Sequence, residues 1–278
     1  MGKSLHIIIE EVSAVNRELP GAANLLGGRL RIMSFKYFDS IRKIEQEVMD
    51  NEVSNMEKAV ELMVEAIENK HSIYVFGASH AGILTQELYY RAGGLMVINP
   101  IFGREIMLDT EPITHTSRME RLEGYGTLLA KNVGFKEGDV LIAHSVSGRN
   151  NVTVEMALAA RKAGAKVIAL TNLTYSKTVT SRHSSGLNLY QCADVIIDNH
   201  GDIGDACVAI EGMNQRVAPS STVIGALILN ALVAEVTQKL VDRGMEVPPI
   251  YYSANIDGGD EKNRALYEEY KDCIHYRF

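Results

Sequence analysis

The chain has 278 residues, 46% hydrophobic, 23% charged and 6% aromatic, which is enough apolar material for a large core and too much for a disordered chain. Lys plus Arg number 28 against 35 Asp plus Glu; a net charge of −7 with no basic run argues against a broad face for nucleic acid or an anionic membrane. Cys192, Cys207 and Cys273 stand far apart in no CxxC pair, against a disulfide framework or structural zinc site and in favour of the reducing cytoplasm.

Residues 1–32 differ in character from the rest of the chain. Pro20, Gly21, Gly27 and Gly28 break periodicity, so this stretch is a peripheral extension, or Met33 is an alternative start. The apolar run Ile7–Ile9 is too short for a signal peptide. Over 33–70 the apolar residues Phe38, Ile41, Ile44, Met49, Met56, Val60, Met63, Val64 and Ile67 recur at helical spacing. They predict two helices, or one bent near Asn55, packed on the α/β region beyond residue 70. Between Ile41 and Lys70 four basic side chains face eight acidic ones, the wrong sign for a DNA-reading helix pair.

Over 71–278 short β-rich runs alternate with helices. Strands are expected at 72–76, 139–143, 166–170 and 194–197, with a further apolar run at 95–98. Helices are expected at 86–92, 119–132, 152–163 and 222–240. That alternation predicts an α/β domain, a parallel sheet covered on both faces. The most apolar run, Val223–Ala234, has 12 residues with Asn230 inside; a bilayer core needs ~20, so it reads as a buried helix.

Open parallel sheets bind ligands at the carboxyl ends of their strands, where loops lead into helix N-termini. Three segments fall there. GASHAG, Gly77–Gly82, follows the first strand; Ile83-Leu84 in place of Lys-Ser/Thr excludes a Walker A loop. Ser79 and the acid-free Ile98-Asn99-Pro100 disfavour a dinucleotide fingerprint. HSVSGRNN, His144–Asn151, offers Ser145, Ser147, a Gly148 turn and Asn150, either as a neutral phosphate cradle or as helix caps. APSST, Ala218–Thr222, sets Ser220, Ser221 and Thr222 at a helix start, more hydroxyls than one N-cap needs.

These segments resemble the SIS (sugar isomerase) family from about Phe35 to the C-terminus, most closely in GASHAG, HSVSGRN and PSSTVIGALILN. PPIYYSANIDGGDEKN, Glu87–Gly94 and Arg121–Tyr125 further resemble a branch of phosphosugar isomerases without settled activity. The resemblance implies a doubly wound, flavodoxin-like five-stranded parallel sheet and a homodimer or higher oligomer. A phosphorylated sugar would then bind near the subunit interface, with no cofactor and no metal. It implies phosphate contacts from Ser145, Ser147 and Asn150, and a sugar lining of Ser79, Ser220, Ser221 and Thr222. The chain departs from the family at Ser79, Ala81, Arg149 and Asn150. Where phosphoheptose isomerases and etherases acting on muramic acid phosphate carry an acid, the same count reaches Arg91.

The implied chemistry is aldose–ketose isomerisation of a sugar phosphate or amino-sugar phosphate, which moves a proton from the carbon beside a carbonyl. An etherase-like lyase begins with the same proton removal, and a sensor would bind without chemistry. Carboxylates and imidazoles tuned toward neutrality do such work. Candidates are Glu87 in the first helix, Glu123, and His80 inside the first loop. Glu120 shares a helix face with Glu123 but reads as a solvated acid beside Arg118 and Arg121. His144 reads as a packed side chain, and His200 as either a ligand donor or a polar loop residue. Asp202 and Asp205 alone make a weak metal site. The turn-rich tail around Ser253–Asp260 closes over the site or is a surface loop.

Overall fold

The computed structural model describes residues 35–278; the expected extension at 1–32 lies outside the described residues. Five strands, β1 (Ile73–Gly77), β2 (Ile98–Ile101), β3 (Val140–His144), β4 (Lys166–Thr171) and β5 (Val195–Asp198), form one sheet. Their order is β2-β1-β3-β4-β5 and every pairing is parallel. This is the doubly wound arrangement, whose strand order reverses between β1 and β3. Each strand is apolar on both sides because both faces are covered. Ile73, Val75, Ile142, Ile168, Leu170 and Ile197 belong to one buried cluster; Tyr74, Phe76, Leu141, Ala143, Val167 and Ala169 belong to the other.

Helices α1 (Lys36–Asn51) and α2 (Val53–Glu68) cover the first face. The amphipathic run is thus two helices, broken at Glu52 rather than near Asn55. Glu52 is buried and accepts the Asp198 N–H at 3.2 Å, which ties the helical corner to the end of β5. Helix α3 (Ile83–Leu88) is shorter than the expected 86–92 run, and the strand near 95–98 lies three residues later, as β2. Helices α4 (Thr114–Glu120) and α5 (Tyr125–Val133) replace the single helix expected at 119–132, because Gly124 turns the chain at φ +95°.

Helix α6 (Asn151–Lys162) packs with α5 on the second face, and α7 (Leu173–Thr178) follows β4. A two-stranded antiparallel ribbon, β6 (Ala206–Val208) with β7 (Val217–Pro219), leads into α8 (Ser221–Asp242). Helix α8 has 22 residues, so the 12-residue apolar run is only part of it. It is long and apolar enough by length and composition to cross a membrane, yet its inner face packs Ile224, Ile228, Leu232 and Val236 against the sheet-side core. Helix α9 (Gly259–Tyr270) follows the turn-rich tail. That tail is anchored at the amino end of β2 by a Leu95–Ile250 bridge and mutual hydrogen bonds between Gly93, Gly94 and Tyr251. It therefore sits at the opposite end of the sheet from the loops that follow the strands.

The α5–α6 contact is close because residue 126 has no side chain. A Cβ there would stand 2.4 Å from the Val152 carbonyl oxygen and 2.8 Å from Glu155 Cβ. We expect Gly126→Ala to lower the free energy of unfolding by about 1–3 kcal/mol, read from urea denaturation. An unchanged midpoint would mean that the two helices separate at no cost.

Candidate functional site

Three loops meet at the carboxyl ends of β1 and β3, the reversal point of the strand order. The first is set by Gly77. A Cβ there would lie 2.4 Å from the Ala81 carbonyl oxygen, so only glycine lets the chain fold back into the short 3-10 turn Ser79–Gly82. Ser79 opens that turn at φ +55°, a left-handed conformation that costs a side-chain-bearing residue roughly 1–3 kcal/mol. Its half-buried hydroxyl has no hydrogen-bond partner among the described residues, and neither has the exposed imidazole of His80.

The second loop, Ser145–Asn150, is braced through its carbonyl groups. Thr171 Oγ1 donates to the Ser145 carbonyl at 2.7 Å, and Asn172 N–H to that of Val146 at 3.0 Å. Ser176 Oγ donates to the Ser147 carbonyl at 2.9 Å. The Leu189, Arg182 and Val154 amides take the carbonyls of Gly148, Arg149 and Asn150 at 2.8, 2.9 and 3.3 Å. Gly148 turns at φ +63°, and a Cβ there would meet Ser176 Oγ at 3.0 Å. Its N–H donates to Ser145 Oγ at 3.2 Å. Among the described residues the N–H groups of Val146, Ser147, Arg149 and Asn150 and the Ser147 hydroxyl have no protein partner. Donors without a protein partner at a strand-to-helix turn, with α6 beginning at Asn151, are a set suited to an anion.

The third element is the start of α8. Asp205 accepts from Ser221 N–H at 2.8 Å and Ser221 Oγ at 2.7 Å, and from Ser220 N–H at 3.2 Å. A carboxylate of the chain itself thus holds the helix N-terminus, and Ser220 and Ser221 are committed to it. Thr222, half-buried, has no such partner among the described residues.

The candidate acids separate in the same way. Glu87 pairs with Arg91 and accepts from Asn230 of α8 at 3.1 Å. Glu123 is exposed and accepts from Ser184. Glu120, read from sequence as a solvated acid, is half-buried at the end of α4 and accepts from Asn150 Nδ2 at 2.7 Å. Burial raises its pKa above the ordinary carboxylate value; Asn150, Arg121, Arg182 and His80 pull it the other way. The fold thus brings Glu120 and Asn150 together, and His80 is the smallest of the influences on that carboxyl. No spacing rule could have found this, because the burial of Glu120 depends on a loop 30 residues away.

Glu155, another acid, is buried and accepts the Gly124 and Thr127 amides at 2.6 and 2.7 Å, capping α5 from a neighbouring helix. His200 is drawn aside to Glu52, 3.0 Å away. His144 is buried at the end of β3, with Nδ1 on the Ala81 carbonyl at 3.1 Å and Nε2 without a partner. Among the described residues no group of three or more His, Cys, Asp or Glu side chains could hold a metal ion.

Residues 36–172 match the SIS domain family. A UPF0309 protein of Shouchella clausii is 49% identical over 241 residues, 87% of this chain and 98% of the relative. A UPF0309 protein of Oceanobacillus iheyensis is 48% identical, again over 87% of this chain and 98% of the relative. Among solved structures, phosphoheptose isomerase from Neisseria gonorrhoeae is similar at 19% identity and a TM-score of 0.48, over 73% of this chain and 96% of that one.

Burial lowers the His144 pKa from 6.5 to about 4, against smaller opposing effects of the Ala81 carbonyl and Asp205. The unfolded chain therefore takes up the proton first. The stability held by this group is complete above the unfolded value and is lost as pH falls toward the folded one, on the order of 3 kcal/mol in all. Urea midpoints are expected to fall from pH 7.5 to 4.5, and to fall less in His144→Gln. Equal slopes in the two proteins would remove His144 from this role.

Proposed function

We propose that this chain, which belongs to the UPF0309 family and carries a SIS domain, binds a phosphorylated sugar at the carboxyl ends of β1 and β3. One observation carries the reading: all six carbonyls of Ser145–Asn150 are held by the protein, while four of the loop's N–H groups are left for a ligand. A phosphate is acceptor-rich and fits such a loop without a lysine. Ser147 and the free amides take the phosphate, Ser145 shapes the turn, and Asn150 links the loop to Glu120. Ser79, His80 and Thr222 face the sugar with uncommitted polar groups, and Ser220 and Ser221 hold the helix beneath it.

The reaction we infer is aldose–ketose isomerisation through an enediol. A half-buried carboxyl whose pKa is raised is suited to proton transfer near neutrality, so Glu120 is the favoured base, with His80 as its partner. Glu87 and Glu123 are the competing acids. An etherase-like lyase would use the same first step. The cytoplasm suits three cysteines that are all buried and unpaired. A homodimer or higher oligomer is supported by the outer side of α8, where Val223 and Leu227 are 44% and 43% exposed one turn apart.

A thermal-shift panel of sugar phosphates against the matching free sugars tests the binding. A ligand at a hundred times its Kd stabilises by ~2.7 kcal/mol, and only the phosphorylated members should do so. Ser147→Ala should weaken them by about tenfold. Silence from every sugar phosphate would end the reading.

Glu120→Gln should abolish turnover and keep binding. The rise of kcat/KM with pH should lie above the range of an ordinary carboxylate, because the raised pKa delays formation of the base. Loss of turnover in Glu87→Gln or Glu123→Gln alone would move the base there, and a ligand recovered unchanged from the wild type would make the protein a sensor. In sedimentation, wild type should be oligomeric and Leu227→Glu smaller; a monomeric wild type would count against the assembly.

A further inference from the structure

Beside the serine loop the fold collects three arginines from three separate elements. Arg149 belongs to the loop itself. The Arg182 amide donates to the Arg149 carbonyl at 2.9 Å, and its guanidinium donates to Asn150 Oδ1 at 2.5 Å. Asn151 Nδ2 donates to the Arg121 carbonyl at 2.9 Å. The consecutive residues 149–151 thus tie all three arginine-bearing backbones to one turn.

None of the three forms an ion pair among the described residues, although Glu120 acts on Arg121 and Arg182 at longer range. Among the described residues, Arg91, Arg216 and Arg243 each have a carboxylate oxygen within 4.0 Å, and Arg121, Arg149 and Arg182 have none. Arg149 Nε is buried with no partner, and Nη2 reaches only Thr180 Oγ1 at 3.5 Å. Burial and then the like charges of Arg149 and Arg121 lower the pKa of the Arg182 guanidinium, against the smaller opposing effects of Glu120 and Tyr175. Glu120 is the nearby acid. Its carboxyl already accepts from Asn150, and burial raises its pKa above the ordinary carboxylate value.

The loop's free N–H groups answer one phosphate without a cation. The Arg182 guanidinium on Asn150, Arg149 of the loop itself and Arg121, whose charge reaches Arg182, are surplus to that phosphate, and planar guanidiniums suit a carboxylate or phosphate held by paired hydrogen bonds. Resting on the phosphosugar reading, we infer that the ligand is a sugar phosphate with a second anionic group, a carboxylate or another phosphate, held by Arg121, Arg149 and Arg182.

Calorimetry with two matched pairs tests this on the full chain: fructose 6-phosphate against fructose 1,6-bisphosphate, and glucose 6-phosphate against 6-phosphogluconate. The second anion should lower Kd by about tenfold, or ~1.4 kcal/mol, in at least one pair. Which pair responds tells phosphate from carboxylate. Arg121→Gln and Arg182→Gln, both at exposed positions, should each reduce that ratio, and the double variant should bring it near one. Equal affinities within both pairs, or a ratio that survives in the double variant, overturns the second-anion site while phosphosugar binding stands. If no member of either pair binds, the phosphosugar reading fails and this inference fails with it.

Discussion

The site depends on two buried hydroxyls. Thr171 and Ser176 lie on the chain that leaves β4, both fully buried and 2.9 Å apart, and they hold the carbonyl groups of the neighbouring loop from below. A carbonyl bound on the inside leaves its peptide's N–H facing outward. Repeated along Ser145–Asn150, this turns an ordinary strand-to-helix connection into a row of aligned donors. A buried donor without a partner is costly, whereas one at a half-open surface can await a ligand. The Gly148 turn is then a matter of contact, since any side chain there would displace Ser176.

Electrostatics divide the surrounding residues by commitment. Asp205 already supplies the negative charge that the start of α8 favours, and it reaches that place at φ +72°, in the left-handed region. His200 at φ +50° and Ala218 at φ +62° are left-handed in the same neighbourhood. Strain of this kind persists only where surrounding contacts over-determine the backbone. Here those contacts include the Asp205 cap, the Glu52–His200 pair and the β6–β7 ribbon, which together fix the far wall of the site. The consequence is a backbone shape fixed by the protein's own contacts, of the kind that reduces the ordering cost of binding.

The arrangement also keeps charge apart. The loop's hydroxyls and amides are neutral, Glu120 lies on one side of Asn150, and the arginines, Arg149 of the loop among them, gather around the same turn. Asn150 joins the two through its amide, donating to Glu120 and accepting from Arg182. A movement of that one side chain would reach both the Glu120 carboxyl and the cationic cluster.

The sequence by itself determined the α/β class, because strands apolar on both sides and amphipathic helices are local patterns with their own periods. It also placed GASHAG and HSVSGRNN, the loops of the candidate site, after strands, with glycine punctuating both. Its errors lie at boundaries governed by single glycines or by tertiary contacts. Gly124 divides the helix expected at 119–132, and Glu52 breaks the first helical run where β5 accepts it. Only the tertiary structure decided which polar residues are spent and which are free. Ser147 and Ser220 look alike in sequence, yet among the described residues one hydroxyl has no protein partner and the other supports a helix, because Asp205 folds back on the second. Glu120 and Glu123 are three residues apart in sequence, yet Glu120 ends α4 and is half-buried against Asn150 while Glu123 lies exposed beyond the helix. Hydrogen-bond commitment and burial are properties of neighbours distant in the chain, which is why no spacing in the sequence records them.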